Sequence, residues 1–291
     1  MNEKIFSHIE LVMIFKNPEI LCELSKYNYL LLTSSFLLPF IALAQSTDTN
    51  GTIEIRSKAE NLTGIANSGS EGIVSGIRIA ALPILRPGEI MEMVPGLIVT
   101  QHAGDGKANQ YFLRGFNLDH GTDFATFVNG VPANMPTHAH GQGYTDLNFL
   151  IPELVDQIAY RKGTYSTLDG DFSAAGSARI EYLKKMDRHL AEATAGANGY
   201  KRFLLAGSPK RSDGQWLYGL EVFTNDGPWV IPENYQKING VLSFTEGTRT
   251  NGYSLTGMLY KSSWVSTDQI PLRAVNQGII DRFGSADPTT G

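Results

Sequence analysis

Cysteine is almost missing from this chain: Cys22 stands alone among 291 residues. An internal disulfide framework and a Cys-based metal site are both excluded. An excess of basic charge is missing too. With 24 Lys and Arg against 29 Asp and Glu, the formal net charge is −5 and no basic stripe stands out. Nucleic acid is therefore not an expected partner. The chain also has no phosphate-cradling glycine loop and no nucleophile elbow. Long apolar runs are scarce, since mean hydropathy is −0.14 and one stretch stands out, Tyr29 to Ala44. A helical membrane protein is excluded by that scarcity.

The one apolar run reads as an export signal. Lys26 precedes it, Pro39 interrupts it, and Ala42-Leu43-Ala44 closes it ahead of Gln45. A basic flank, a short apolar stretch and small residues at its end are what a secretory signal needs. The run falls short of the ~20 residues that a spanning helix requires. Residues 1–44 are expected to be a signal peptide cleaved after Ala44, with Met13 as a second possible start. Cys22 would leave with it, and the exported chain would hold together without disulfides.

Residues 45–71 are polar and read as a flexible lead-in, broken by the alternating run Thr52-Ile53-Glu54-Ile55-Arg56. From residue 72 to 184 the texture is a compact α+β unit. Pro87–Met93 starts a short helix that Pro95-Gly96 ends. Strands are expected at Leu97–Thr100, Tyr111–Arg114 and Phe124–Asn129, with a turn at Asn129-Gly130. Ile151–Tyr160 reads as a short helix running into a strand, and a further strand lies near Ser177–Leu183. From 185 to 291 the pattern is all-β. Gln215–Phe223 sets Trp216, Tyr218, Leu220 and Val222 opposite Gly219 and Glu221. Leu242 and Phe244 stand opposite Ser243 and Thr245, and Tyr253–Tyr260 alternates again. Alternation of this kind fits half of a soluble sandwich and the strands of a membrane barrel equally well.

Four segments in order carry a family resemblance: RPGEIMEMVPGLIV (Arg86–Val99), YFLRGFN (Tyr111–Asn117), FVNGVP (Phe127–Pro132) and IPELVDQIAYRKGTYS (Ile151–Ser166). Together they resemble the plug of TonB-dependent outer-membrane receptors. Asn129 stands where that family usually has Asp, and Arg161-Lys162-Gly163 replaces its Arg-Gly-Pro. The resemblance implies an α+β plug domain, a small mixed sheet with short helices, followed by antiparallel strands of an incomplete transmembrane β-barrel. It implies residence in the outer membrane and uptake of a scarce ligand, with no catalytic residue. The implied partners are outer-membrane lipid and TonB with its inner-membrane energising complex. Coupling would run through an exposed strand near Thr52, Ile53, Glu54 and Ile55. Arg114 would face acidic residues of the barrel wall. With 107 residues after the plug, the chain is expected to be a fragment lacking most of the barrel.

Histidine suggests the ligand. Four of the six histidines, His102, His120, His138 and His140, fall within one stretch of glycine-rich loops with Asp105, Asp119 and Asp123. In a loop, His138 and His140 at i and i+2 can both reach one ion, and imidazole with carboxylate suits Zn²⁺, Cu²⁺ or Ni²⁺. Tyr144 and Asp146, just downstream, are candidate ligand contacts. The preferred cargo is a metal ion or metal chelate, carried as substrate with no resident cofactor. Two other readings stay open: a soluble periplasmic plug-like binding module, and a His-dependent metallohydrolase. For the second, a distant acid–His set is missing.

Overall fold

The computed structural model describes residues 9–15, 65–209, 211, 214–247 and 251–285. Most of the expected signal and the stretch Thr52–Ile55 lie outside them. Within the expected signal, β1 (Ile9–Phe15) lies antiparallel against the strand His189–Ala195.

The plug is built around a six-stranded mixed sheet. Its members are β2 (Ile65–Ser68), β3 (Glu71–Ser75), β7 (Phe124–Val128), β8 (Val131–Pro132), β9 (Val155–Lys162) and β10 (Gly176–Tyr182). Their order is β2-β3-β9-β10-β7-β8, with β10 parallel to β7 and antiparallel to β9. A second sheet of β4 (Leu97–Thr100), β5 (Gln110–Leu113) and β6 (Phe116–Asn117) sits beside it. The expected short helix is a 3-10 helix over Pro87–Met93, opened by proline as its first turn allows. Asn129 and Gly130 both take positive φ, 48° and 80°, and make the tight turn between β7 and β8. The plug sheet reaches back to Ile65, into the stretch read as a flexible lead-in ending at residue 71. The hairpin β2–β3 is too short for its alternation to register in the sequence.

Five strands follow: β11 (His189–Ala195), β12 (Lys201–Gly207), β13 (Gln215–Asn225), β14 (Tyr235–Gly247) and β15 (Gly252–Ser263). Each pairs antiparallel with the next in a simple meander. Burial decides between sandwich and barrel. Leu220, Val222, Ile238 and Leu242 are exposed, while Glu221, Lys237, Asn239 and Ser243 on the opposite face are buried. A soluble sandwich buries its apolar face, whereas a barrel wall turns that face to lipid and keeps polar groups inside. The strands are therefore barrel strands, curved over the plug.

The plug is seated on this wall by apolar packing. Leu150, Ile151 and Leu154 share one core with Leu204, Ala206, Leu217 and Val241 of the wall. Gly219 makes the fit possible, because a Cβ there would stand 2.7 Å from Leu154 Cδ1. Inside the plug, the buried Asp169 receives Arg161 Nη1 at 2.8 Å and Arg179 Nη2 at 3.1 Å. These bonds tie the 3-10 turn Thr167–Asp169 to β9 and β10.

Two predictions follow from this packing. With Cys22 replaced by serine, a single cysteine at Leu242 should react with a lipid-phase probe in bilayers, and one at Ser243 should not. Equal reactivity would return the sandwich. The second concerns acid. Burial alone would raise the Asp169 carboxyl, but hydrogen bonds from Arg161 and Arg179 outweigh it and hold the group below the ordinary value of 3.8. A depressed folded value means the stabilisation is complete above about pH 4 and fades as pH falls through the folded value. Amide exchange in β9 and β10 should therefore rise on acidification below that point. In Asp169→Asn it should already be raised at neutral pH, by about 1–3 kcal/mol of lost protection.

Candidate functional site

Two places in the plug combine charge with burial. The first is its junction with the wall. Arg202 on β12 forks onto Glu153, with Nη1–Oε1 at 2.7 Å and Nη2–Oε2 at 3.0 Å. Its Nε donates to Glu221 Oε1 at 2.7 Å, and Nη1 also reaches Glu192 Oε1 at 3.0 Å. Glu221 in turn accepts from Lys237 Nζ at 2.9 Å and Asn239 Nδ2 at 3.0 Å. Asn239 Nδ2 also donates to the plug carbonyl of Asn148 at 3.2 Å. Every wall group here lies on the inward face of the sheet, and the plug supplies the acceptors that the wall leaves open, Glu153 for Arg202 and the Asn148 carbonyl for Asn239. Arg114, the residue expected to meet the wall, sits at the end of β5 with φ 53° and is exposed. Among the described residues it makes no ion pair, and the ion pair observed between plug and wall is that of Glu153 with Arg202.

The second place is a cluster of aromatic and imidazole rings. It lies where loop 118–123 meets loop 133–145. Asn134, 6% exposed, ties these loops together: Oδ1 accepts from Thr126 N–H at 2.7 Å, and Nδ2 faces the carbonyls of Gly121, Phe124 and Gly143 at 2.9–3.1 Å. Thr145 N–H donates to the His120 carbonyl at 2.8 Å, and Met135 bridges Tyr144. Asp119 (φ 49°) and Gly121 (φ 104°) bend the chain on either side of His120. The bend drives the His120 ring inward to 1% exposure.

All four expected histidines are brought together here. His120 lies 4.9 Å from His102, 4.5 Å from His140 and 5.1 Å from Tyr144, ring centroid to centroid. The two members of the His-x-His pair part company. His140 turns to His120, whereas His138 stacks flat on Tyr144 at 3.9 Å and accepts the His140 N–H on Nδ1 at 3.2 Å. Tyr144 is buried at the centre, its hydroxyl oxygen accepting from Ala108 N–H at 2.9 Å. Asp146 stands outside the cluster, where its carboxylate accepts Asn148 N–H at 2.8 Å. Asp119 joins the rings: its Oδ1 is 3.8 Å from His120 Nε2 and 3.9 Å from His140 Nε2. Burial is the main cause pushing the His102 and His120 imidazoles below their ordinary values, which keeps them neutral and able to ligate.

The cluster faces one end of the wall. The neighbouring loop 101–108 is anchored there: Asp105 N–H donates to Glu233 at 3.1 Å, Asn225 Nδ2 donates to Asp105 at 2.5 Å, and Trp264 fills the space over Gly106. Arg86 Nε holds the same Asp105 at 3.1 Å. Residues 226–234, at that end, form the longest connection within the meander.

Residues 65–177 match the TonB-dependent Receptor Plug Domain. Among solved structures, the copper transporter OprC superposes with a TM-score of 0.52 at 18% identity, over 70% of this chain and 32% of that one. The ferric yersiniabactin uptake receptor FyuA from Yersinia pestis gives 0.49 at 16%, over 66% and 31%. The siderophore receptor PiuA from Acinetobacter baumannii gives 0.48 at 20%, over 66% and 26%. The chain spans about a third or less of the length of these structures. At such identities the likeness is one of fold. Residues 65–177 thus carry a plug domain of the TonB-dependent receptor type, and the chain shares its fold with OprC.

Arg202 offers the sharpest test of the junction. Arg202→Met leaves three carboxylates facing one another, with Glu221 only 2% exposed. Breaking one partner out of a buried set costs about 3–5 kcal/mol. The urea midpoint of the detergent-folded chain should fall accordingly, and Lys261→Met, at an exposed position on β15, should leave it in place.

Proposed function

We propose that this chain is the front part of an outer-membrane receptor that takes up a metal ion or metal chelate with energy delivered through TonB. The observation that carries the reading is a plug domain seated, through Glu153 and Arg202, on a wall whose polar face points inward. The ring cluster lies at the end with the longest connection, and in barrels of this kind the longer loops face the cell exterior. Cargo would thus meet the plug from outside. OprC, which shares the fold, is a copper transporter, and this supports a metal-linked cargo.

In this reading Thr52–Ile55 couples to TonB by adding a strand to its edge, with the inner-membrane complex as the energy source. Arg114 is the plug group set aside for acidic wall residues beyond the strands described. Tyr144 with the histidines receives the cargo, and Asp146 shapes the loop beneath it. Cargo passes unchanged, so no catalytic group is required.

The test is uptake in cells that rely on the receptor for copper or zinc, expressed with the rest of its barrel. Proline at Ile53 removes a strand donor. Ile53→Pro should therefore lower accumulation of the labelled ion to the level of cells lacking TonB. Uptake that persists without TonB would overturn the reading.

A further inference from the structure

We infer that the plug itself coordinates a free divalent ion of the late first transition row, through His120 Nε2, His140 Nε2 and an Asp119 carboxylate oxygen. This rests on the receptor reading for its purpose, though the site stands on its own geometry. It narrows the cargo from metal-linked compounds in general to the ion itself.

His120 is the anchor. Its Nδ1 lies 3.0 Å from the Asn109 carbonyl. A carbonyl oxygen can only accept, so Nδ1 carries the proton and Nε2 carries the lone pair. That lone pair is buried, and no hydrogen-bond donor reaches it among the described residues. An unsatisfied buried acceptor costs free energy, and such groups call for an explanation. A cation at Nε2 removes the cost. An imidazole fixed by a carbonyl on one nitrogen and open on the other is the arrangement that metal-binding histidines adopt.

The other two ligands converge on the same point. One ligand atom from each of the three residues lies within 4.8 Å of the others, and Asp119 Oδ1 stands 3.8 Å from His120 Nε2 and 3.9 Å from His140 Nε2. Tetrahedral ligation at about 2.0–2.2 Å would bring them to about 3.4 Å apart. The remaining movement falls on the partners able to make it, since the side chains of His140 and Asp119 are 38% and 50% exposed while His120 is fixed. Two imidazoles and one carboxylate form a mixed nitrogen–oxygen set, suited to Cu²⁺, Ni²⁺ or Zn²⁺ rather than to Mg²⁺ or Ca²⁺. Three protein ligands leave a position open, as an ion that must be released requires, whereas structural sites are closed by four. A chelate that already fills the coordination sphere offers no positions to these side chains. His138, stacked on Tyr144 and holding the His140 N–H, positions the loop and is not a ligand.

Untagged chain should be folded in detergent and titrated calorimetrically with copper(II) chloride, with zinc chloride, and with the same ions held by EDTA. The free ions should bind one to one, and the EDTA complexes should not bind. His140→Ala and Asp119→Asn, both at exposed positions, should each weaken binding by about tenfold or more. His138→Ala should change it by less than about threefold, since it removes no ligand. Copper(II) paramagnetic resonance should show two imidazole nitrogens, falling to one in His140→Ala. Unchanged affinity in both ligand variants, or EDTA complexes binding as tightly as the free ions, would overturn the inference. Failure of the site with TonB-dependent uptake intact sinks this inference and leaves the receptor reading. Binding without TonB-dependent uptake does the reverse.

Discussion

The seating of the plug on the wall depends on a carboxylate that could not be buried alone. Glu221 points to the inside of the wall, where it meets Arg202, Lys237 and Asn239. Left to the wall, the charges of Arg202 and Lys237 are matched by Glu192 and Glu221, but Arg202 Nη2 and one hydrogen of the Asn239 amide have no acceptor. The plug supplies both, Glu153 to the guanidinium and the Asn148 carbonyl to the amide. Buried charges persist only when their partners are in place, so the wall's inward face and the 148–153 segment specify each other. The apolar contact of Leu154 and Ile151 over Gly219 lies beside these bonds and fixes the distance at which they form.

From that junction the plug sheet runs back through β9 and β10 to the loops that hold the rings. The cluster is stiff on one side and loose on the other. Asn134 and the backbone bonds around Gly121 and Thr145 lock His120 in place. The segment around His138 and His140 is held by less, chiefly the flat stack of His138 on Tyr144. For the ion site inferred above, His120 would be the fixed ligand and His140 and Asp119 the adjustable ones, an arrangement suited to both taking and releasing an ion.

Much of this was legible from local patterns. Pro87, Gly96 and the Asn129-Gly130 pair punctuate the plug, and each marks a feature that a short stretch of sequence decides. The four histidines, singled out in the sequence as candidate metal ligands, do come together in space. What could not be read was direction. The alternation in Gln215–Phe223 separates Leu220 and Val222 from Glu221, but it does not say which side meets water. Glu221 looks like a solvent residue until the plug is placed behind it. The partners at 153, 192, 202, 221 and 237 share no spacing, since register across four strands brings them together. Asp119 showed only as one acid among several, and the bend that turns it beside His120 depends on a positive φ at a non-glycine residue. His138 and His140 looked equivalent for the same reason: i, i+2 spacing permits a shared ion but does not stop one ring from stacking elsewhere.

On the receptor reading proposed above, the division of labour between the two sites would constrain how transport works. Asp119, His120 and His140 all belong to the plug, and so do the groups that orient them, Asn109 and Asn134. No wall residue is among them. A rigid displacement of the plug along the wall would therefore break the Arg202 junction but carry an ion along with its ligands unchanged. Only a rearrangement inside the plug, moving the 138–140 segment away from 119–120, would alter the inferred coordination. Tension applied just ahead of Ile65 would meet β2 and β3 first, and β3 lies against β9, the strand that follows Glu153. Force applied there reaches the wall junction before it reaches the rings. On that reading, unseating the plug and releasing an ion would be two separate events, and the first could occur with the second still pending.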